Sequence, residues 1–474
     1  MLHTPLRFGT RWRRALPTFS RVVAGALCAS ALALTSLDAQ SIPPRPDSLA
    51  RDSLARAAVT DSILARLART EADLALLRQQ VATEASTQIR LRSRVRLDLH
   101  ARLLTNAFFT TATSSSSEIP VFASAPGAIG GEYGSSAGRE VGFSIRQSTM
   151  GASVSVDSLL GAMFTADLEL DFYGNVTGEG TPLYPTPRVR TVRGFLRWPR
   201  TELMIGADTP LISDLDPMGV AAIAIPDFST AGNLWNWLPQ VRLTRELGVV
   251  HAGDRALHLA LQGAVITPFS DDHRIDPTTG AEVAPRAARP SVEGRVRAQW
   301  GLEHDATSSQ RIGDHGGEIG LGAHRGWMVA NADSLTASWA LSADARVGLS
   351  HGLELRGEAY RGRLLNGLGG GGIGQNFAPS TNSDDFGDPL TSTAGWLQLN
   401  AQLRPTMMAG MGCGTERVHN GAPARQRNTA CATHLEWRPT SPLLFGLEYR
   451  GIATRGPAGR QRAGHVNLFF GIEL

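Results

Sequence analysis

The sequence predicts an all-β fold, a transmembrane antiparallel β-barrel of about 16 strands with a short N-terminal coiled-coil helix. Three observations predict it: a secretory leader, strands that alternate apolar and polar residues, and connectors that alternate in length. The alternation is clearest from His465 to Leu474, where every even position is apolar. A strand with one apolar and one wet face has this period of two. A closed barrel needs such strands because its outer face meets lipid and its lumen meets water.

Residues 1–39 have the pattern of a signal peptide. Arg11 to Arg21 supply a basic region, Val22 to Leu34 form an apolar core, and Ala39 is a small residue suited to cleavage. The apolar core is too short for a membrane helix. An N-terminal core helix of the folded protein is the alternative interpretation.

The composition argues against a nucleic-acid-binding protein. The formal charge is +3, but the leader carries five arginines and one acid, so the remaining chain is near −1. No basic domain remains that would attract a polyphosphate. The hydrophobic content of 42% is ordinary. It suits a barrel with a polar lumen, because only alternate residues need to be apolar.

The segment after the leader predicts a spacer at 40–46 and a coiled-coil helix at 47–90. Proline recurs in the spacer, and Ile63, Leu67, Leu74, Leu77 and Val81 then follow coiled-coil core spacing. We expect this helix to lie in the periplasm and to set a homotrimer, because so narrow a seam needs partners to be buried. A single amphipathic helix packed on the barrel is the alternative.

The barrel is predicted at 91–474. In its first strand, Val95, Leu97 and Leu99 alternate with charged residues that a water-filled lumen would accept and a dry core would not. Charge rings in a pore select ions. The arginines of this strand favour a mild preference for anions, although unspecific solvated charges explain the pattern equally well. The predicted channel-lining residues are Arg94, Arg96, Asp98, Arg102, Arg146, Asp167, Glu169, Asp171, Arg193, Arg197, Arg295 and Arg297.

Short and long connectors alternate, which is the habit of outer-membrane barrels, with the short turns periplasmic. The long segment from Asp208 to Gln240 is unusually apolar. Exposed to water, it would be an association liability. We expect it to fold into the lumen as a constriction lined by Asp214, Asp216 and Asp227. Contact with a neighbouring subunit is the alternative.

Cys413 and Cys431 lie symmetrically about a turn-like run centred on Ala422. Two strands folding back there could place them opposite each other as a disulfide, and two small apolar residues are the equal alternative. The glycine run 367–372 lacks the strand-then-helix context of a phosphate loop. No zinc or nucleophile motif occurs. We therefore predict no enzyme, no catalytic, cofactor-binding or metal-ligating residue, and no cofactor.

The layout and three local runs resemble the DcaP-like family of trimeric outer-membrane porins. The runs are Arg146-Gln147-Ser148, Leu168 to Gly174 and Ile205 to Leu211. The resemblance implies passive uptake of small, often negatively charged solutes through each protomer of a homotrimer. The last strand is similar to an outer-membrane assembly signal, except that it ends in Leu474 where Phe is usual.

The predicted function is therefore that of an outer-membrane porin, which passes small hydrophilic, carboxylate-type anions by passive diffusion. The predicted partners are membrane lipid and lipopolysaccharide, the barrel-assembly machinery, two further copies of the chain and small anionic solutes, with no nucleic acid. The predicted location is the outer membrane of a Gram-negative-type cell. The alternative is a structural protein with a plugged barrel, tethered to the cell wall by its helix.

Overall fold

The computed structural model describes residues 88–91, 95–126, 138–174, 185–219, 223–252, 255–268, 287–301, 316–329, 335–350, 352–380 and 386–474. All belong to the second of two compact units, Arg78–Leu474. The predicted leader, the spacer, nearly all of the predicted coiled coil and Arg94 lie outside the described residues. Gln88–Leu91 is a strand, so strands begin before the predicted boundary at residue 91.

Strands dominate the described chain. In order they are β1 (Gln88–Leu91), β2 (Val95–Thr110), β3 (Glu140–Ser144), β4 (Thr149–Leu159), β5 (Ala162–Asp171), β6 (Arg188–Trp198), β7 (Thr201–Asp208), β8 (Leu238–Ala252), β9 (Arg255–Ile266), β10 (Ser291–Trp300), β11 (Gly317–Val329), β12 (Leu335–Ser350), β13 (Leu353–Arg363), β14 (Thr391–Arg404), β15 (Met407–Val418), β16 (Arg427–Trp437), β17 (Leu443–Gly456) and β18 (Gly459–Glu473). A 3-10 turn at Asn366–Leu368 and a single helical turn at Gly371–Gly374 follow β13. None of the helices within the described ranges is long and apolar enough to cross a membrane.

The strands close into a ring. From β4 onward each strand pairs antiparallel with the next, and β18 pairs back onto β2. Both β3 and β4 pair with β2, β3 along Asn106–Thr110 and β4 along Val95–Arg102. They therefore form one interrupted strand, and the barrel has 16 members, with β1 as a short extra pairing on β2. The predicted fold class, a closed antiparallel barrel, is confirmed.

The two faces of the barrel wall follow the alternation of the sequence. Leu321, Leu341 and Leu397 point outward and are exposed, whereas the residues beside them in the chain, such as Gly320, Ser342 and Gln398, face inward. At the end that carries the short turns, an outward aromatic cluster joins Trp437 to Phe445 (ring centroids 5.5 Å apart) and Phe445 to Phe470 (5.1 Å). This placement matches the aromatic girdle of a membrane barrel.

The long connectors gather at the opposite end, which orientation by turn length makes extracellular. We call them by their order: loop 1 (111–139), loop 3 (209–237) and loop 6 (364–390) carry most of the contacts described below. The length rule has exceptions. The connector 457–458, which joins β17 to β18 at the long-loop end, is only two residues long. The connector 301–316 joins β10 to β11 at the short-turn end, and the connector 330–334 joins β11 to β12 at the long-loop end.

Candidate functional site

Loop 3 crosses the inside of the barrel. It leaves the wall between β7 and β8, yet its backbone is held by side chains of distant strands. The Ile212 N–H donates to Glu293 on β10 (3.2 Å), and the Ile212 carbonyl accepts from Ser342 on β12 (2.7 Å). The Gln398 side chain on β14 accepts from the Met218 N–H (2.7 Å) and donates to the Met218 carbonyl (2.8 Å). The apolar segment predicted to fold inward therefore lies in the lumen.

Two arginines of the C-terminal strands extend this attachment. Arg356 on β13 donates to the carbonyl of Asp216 (2.9 Å), and Arg450 on β17 forms an ion pair with the Asp227 carboxylate. Asp227 is buried. It holds loop 3 to the wall and does not face open water.

Loops 1 and 6 close over loop 3. Thr230 donates to the Val121 carbonyl of loop 1 (2.9 Å), and the Asn236 N–H donates to the Leu368 carbonyl of loop 6 (3.1 Å). Gly369 has φ of 118° and approaches so closely that a Cβ there would lie 2.4 Å from a backbone nitrogen of loop 3. One apolar cluster unites loops 3 and 6 with the wall: Leu211, Ile212, Leu234, Leu238, Ala264, Ile266, Ala340, Tyr360, Leu365, Leu368 and Ala394.

The inner arginines divide into two groups by exposure. The side chains of Arg295 and Arg356 are 0% and 1% exposed, because the loops cover this part of the wall. On β6, by contrast, Arg188, Arg193 and Arg197 are 28%, 32% and 27% exposed. Water therefore reaches the lumen along β6. We call the four inner arginines of this strand the β6 ladder: Arg188, Arg190, Arg193 and Arg197.

Each ladder arginine pairs with a carboxylate of the neighbouring wall. For Arg188 the partner, Asp171, is fully buried, and for Arg193 one of two partners, Asp208, is buried as well. These acids lie behind guanidinium groups that face water. The pairs are Arg188 with Asp171 (2.5 Å), Arg190 with Glu169, Arg193 with Asp167 (2.9 Å) and with Asp208 (3.1 Å), and Arg197 with Glu202 (2.6 Å).

Loop 3 meets the ladder near its extracellular end. Arg188 donates to the Ala224 carbonyl (3.0 Å), and Arg190 donates to the Ile223 carbonyl (3.1 Å). Both guanidinium groups also lie over the ring of Trp237, at 5.1 and 4.8 Å from its centroid. Cation–π contact of this kind fixes the planes of the two guanidinium groups. Loop 3 therefore contacts the ladder directly at Arg188 and Arg190.

The sequence pattern missed Arg188 and Arg190 because a β-bulge reverses the faces of β6. Glu169 pairs with Thr191, but the next residue, Leu170, pairs with Val189, so one residue of β6 is inserted. Strict alternation from the lower half of β6 would turn both arginines toward lipid. A bulge changes which residues face inward.

The predicted lining residues of the first strand lie at the other end of the lumen. Arg96 and Asp98 are on the inner face of β2 near its start, and Arg96 is exposed. Arg102 forms an ion pair with Glu473 of β18 (2.6 Å). Arg146 lies between β3 and β4 and is buried with Glu118 (3.2 Å). Of the arginines predicted to line the lumen from the first strand, Arg96 is exposed there, and the charge of Arg102 is partly neutralised by Glu473.

The pair predicted on β10 is also covered. Arg295 binds Asp214 of loop 3 (3.1 Å), Glu318 (2.7 Å) and Asp344 (2.6 Å). Arg297 is less buried and lies 3.5 Å from Glu246. Arg295 is therefore an anchor for loop 3, surrounded by carboxylates that a passing solute would have to displace.

The two aspartates that begin the predicted constriction differ in their electrostatics. Burial alone would raise the pKa of Asp214, but Arg295 and Arg242 outweigh it and hold the pKa below its usual range. For Asp216, burial dominates and raises the pKa to about 6, although Arg190 opposes it. Within the described chain, one buried carboxylate oxygen of Asp216 has no hydrogen-bond partner. Asp216 is therefore the loop 3 acid that titrates near neutral pH.

Cys413 and Cys431 are opposite each other on β15 and β16 and are joined by a disulfide. Both occupy outward-facing positions, and Cys413 is exposed. The bond therefore lies on the outer wall and not in the lumen.

A closed 16-stranded antiparallel barrel, with its third loop folded inward over a charged wall, defines the fold of the outer-membrane channels. The chain is similar to the crystal structure of the outer membrane channel DcaP of Acinetobacter baumannii. The TM-score is 0.60 and the identity 14%, over 81% of this chain and 99% of that one. This likeness shows the fold, and the predicted DcaP-like layout is confirmed at that level.

Two further solved structures match less closely. They are the anion-selective porin from Comamonas acidovorans (TM-score 0.48, 10% identity, 80% of this chain and all of that one) and Salmonella typhi OmpF in complex with daunomycin (0.47, 9%, 82% and all of that one). No protein-family model and no curated protein sequence matches the chain.

Proposed function

We propose that this chain is an outer-membrane porin that lets small hydrophilic solutes diffuse through its barrel. One observation carries the proposal: the β6 ladder stays in contact with water while the loops bury the arginines of the opposite wall. A solute would pass along the ladder and leave near the start of β2.

The proposed solutes are anionic, carboxylate-type molecules. A guanidinium group has five N–H donors in a fork that fits a carboxylate. Asp171 and Asp208 are buried behind Arg188 and Arg193, so the passage presents the cations more than their counterions. The acids Asp167, Glu169 and Glu202 remain part-exposed, which limits the preference to a mild one.

The outer surface supports the proposed location. A belt of exposed leucines above an aromatic cluster suits a bilayer, and closed barrels satisfy their backbone hydrogen bonds there. We place the barrel in an outer membrane, with assembly by the barrel-assembly machinery and as a homotrimer held by a periplasmic helix. The channel acts without catalysis or a cofactor.

Single-channel recording on the purified full chain in planar bilayers tests the proposal. We expect stepwise conductance, and a larger step when residues 214–227 are replaced by a short glycine-serine linker, because this part of loop 3 bounds the passage. A variant shortened in the connector 330–334, far from the ladder in sequence, is the control.

The second candidate is a structural protein with a plugged barrel, and the contacts among loops 1, 3 and 6 favour it. A folded wild-type protein that never conducts, with a loop 3 variant that does, would support this candidate and reject the porin. Equal conductance in wild type and loop 3 variant would show that loop 3 does not bound the passage.

A further inference from the structure

Six outward-facing arginines crowd the extracellular end of one flank of the barrel. Backbone register places them side by side on successive strands. Arg417 on β15 pairs with Arg427 on β16, Arg427 pairs with Arg455 on β17, and Arg455 pairs with Arg460 on β18. Thr393 of β14 lies between Arg417 and Arg361 of β13. We call the set the arginine rim: Arg361, Arg417, Arg427, Arg455, Arg460 and Arg462.

The rim faces away from the lumen. Its residues share the outer face with Met411, Leu435 and Leu468, which are exposed apolar side chains of the same strands. All six arginines are exposed. Among the described residues, none of the six takes part in an ion pair. Within the described ranges, the rim is therefore a belt of cations without a protein counterion.

The height of the rim matches one boundary of a bilayer. Along β16, Arg427 lies at the extracellular end and Trp437 at the other. At about 3.4 Å per residue the two are roughly 34 Å apart along the strand. A strand tilt of about 40° reduces this to roughly 26 Å across the membrane, close to the apolar band of about 25 Å in such barrels. The aromatic cluster marks one lipid boundary and the rim marks the other.

The arrangement is unfavourable unless something neutralises it. Like charges directly opposite each other on adjacent strands destabilise a sheet. The charge of the rim acts on a neighbouring histidine. Burial, together with Arg417 and Arg361, lowers the pKa of His419, which follows β15. On the adjoining strands β2 and β3, the exposed residues at this end include the apolar Phe109, Val141 and Phe143. On β11, the exposed Arg325 pairs with Val292 and Trp339 and not with another arginine. Among the described strands, outward-facing arginines thus oppose one another directly on β15 to β18, at lipid headgroup height.

We propose that the arginine rim binds the phosphate groups of the outer-leaflet glycolipid, lipopolysaccharide. Guanidinium groups bind phosphate through paired N–H donors, and basic side chains at a membrane surface attract anionic headgroups. The acyl chains would lie on the leucines below the rim. The inference rests on the outer-membrane location given under the proposed function.

A binding experiment on the full chain in detergent tests the rim, with diphosphoryl lipid A and monophosphoryl lipid A as probes. The rim variant carries Arg417→Gln, Arg427→Gln and Arg455→Gln. The control variant carries Arg200→Gln, Arg245→Gln and Arg404→Gln, which removes three exposed arginines from the other end of the barrel. We expect the rim variant to bind diphosphoryl lipid A at least tenfold more weakly and the control to bind as wild type.

Three further results are expected. The affinity of the wild type should fall with salt, the monophosphoryl probe should lose less on mutation, and lysine at the three rim positions should restore most of the binding. Wild-type affinity in the rim variant would overturn the proposal, and so would an equal loss in the control. A changed oligomeric mass with unchanged lipid binding would assign the rim to a contact between copies.

Conductance of the same samples separates this proposal from the porin itself. The rim variant should conduct as wild type, because the rim faces away from the lumen. Protein that binds diphosphoryl lipid A through the rim but never conducts would reject the proposed function and leave the rim site standing.

Discussion

Changing Arg193 and Arg197 to glutamine should make the channel more permeable to cations. Both side chains are about a third exposed and lie in the middle and at the periplasmic end of the β6 ladder. Glutamine keeps much of the length and removes the charge. Part-exposed ion pairs contribute about 1 kcal/mol or less each, so the barrel should still fold.

The magnitude follows from Coulomb's law. A unit charge about 6 Å from a passing ion in water contributes about 0.7 kcal/mol. At 0.1 M salt, where the Debye length is about 10 Å, roughly 0.4 kcal/mol remains. The effect has opposite signs for anion and cation, so each lost arginine changes the permeability ratio roughly fourfold, and two change it roughly fifteenfold. At 1 M salt, where the Debye length is about 3 Å, the two together change it only about twofold.

Reversal potentials across a potassium chloride gradient measure this ratio in planar bilayers. Arg245→Gln is the matched control, because that arginine is exposed on the outer wall. A ratio within twofold of wild type at 0.1 M would refute the ladder as the passage. So would a shift that persists undiminished at 1 M, or an equal shift in the control.

Three other predictions concern loop 3, the disulfide and the N-terminal segment. Because burial raises the pKa of Asp216 to about 6, its side chain is charged at pH 7.5 and protonated at pH 5. Acidification removes this negative charge, so the preference of the channel for anions should rise. Asp216→Asn should remove that pH dependence. Because the pKa of Asp216 is raised in the folded chain, its carboxyl group lowers stability progressively as the pH rises from about 4 to about 6. Asp216→Asn should therefore add on the order of 1 kcal/mol of stability at pH 7.5 and little at pH 4, measured by denaturant unfolding. Replacing Cys413 and Cys431 by serine opens a crosslink between residues 18 apart and should lower the free energy of unfolding by about 3 kcal/mol relative to the oxidised wild type, and the reduced wild type should match the variant. Deleting residues 47–87 should reduce the oligomer to monomers with the barrel intact on sizing columns, and an unchanged oligomer would contradict the coiled-coil hypothesis.

The sequence was sufficient for the barrel because alternation is a local property. Leu97, Leu321 and Leu397 each mark the outer face through their neighbours two residues away, and the strands pair as that pattern requires. The inward path of loop 3 was predictable because its apolar runs need burial, which is again a property of the local sequence. The lumen lies beside the ends of β7 and β8, where this loop leaves the wall.

The lumen was less predictable because its chemistry depends on contacts between distant residues. Arg295 has the alternation of a lining residue, and only the fold shows Asp214, Glu318 and Asp344 around it. Arg190 faces inward through the bulge of β6, which strict alternation hides. The alternation of the sequence predicts which face of the wall a side chain occupies. It does not predict the partners of that side chain or the bulges that interrupt strand pairing.

Side chains of the barrel wall hold loop 3 through hydrogen bonds to the main chain of the loop. Glu293, Ser342, Gln398 and Arg356 all bind backbone N–H or carbonyl groups, and the ladder binds the carbonyls of two further residues in the same way. The path of loop 3 is thus encoded largely in the strands, outside the loop. A substitution of a loop 3 side chain does not by itself remove these main-chain bonds. Evolution or protein engineering can therefore change loop 3 side chains that face a solute while the loop keeps its path across the lumen.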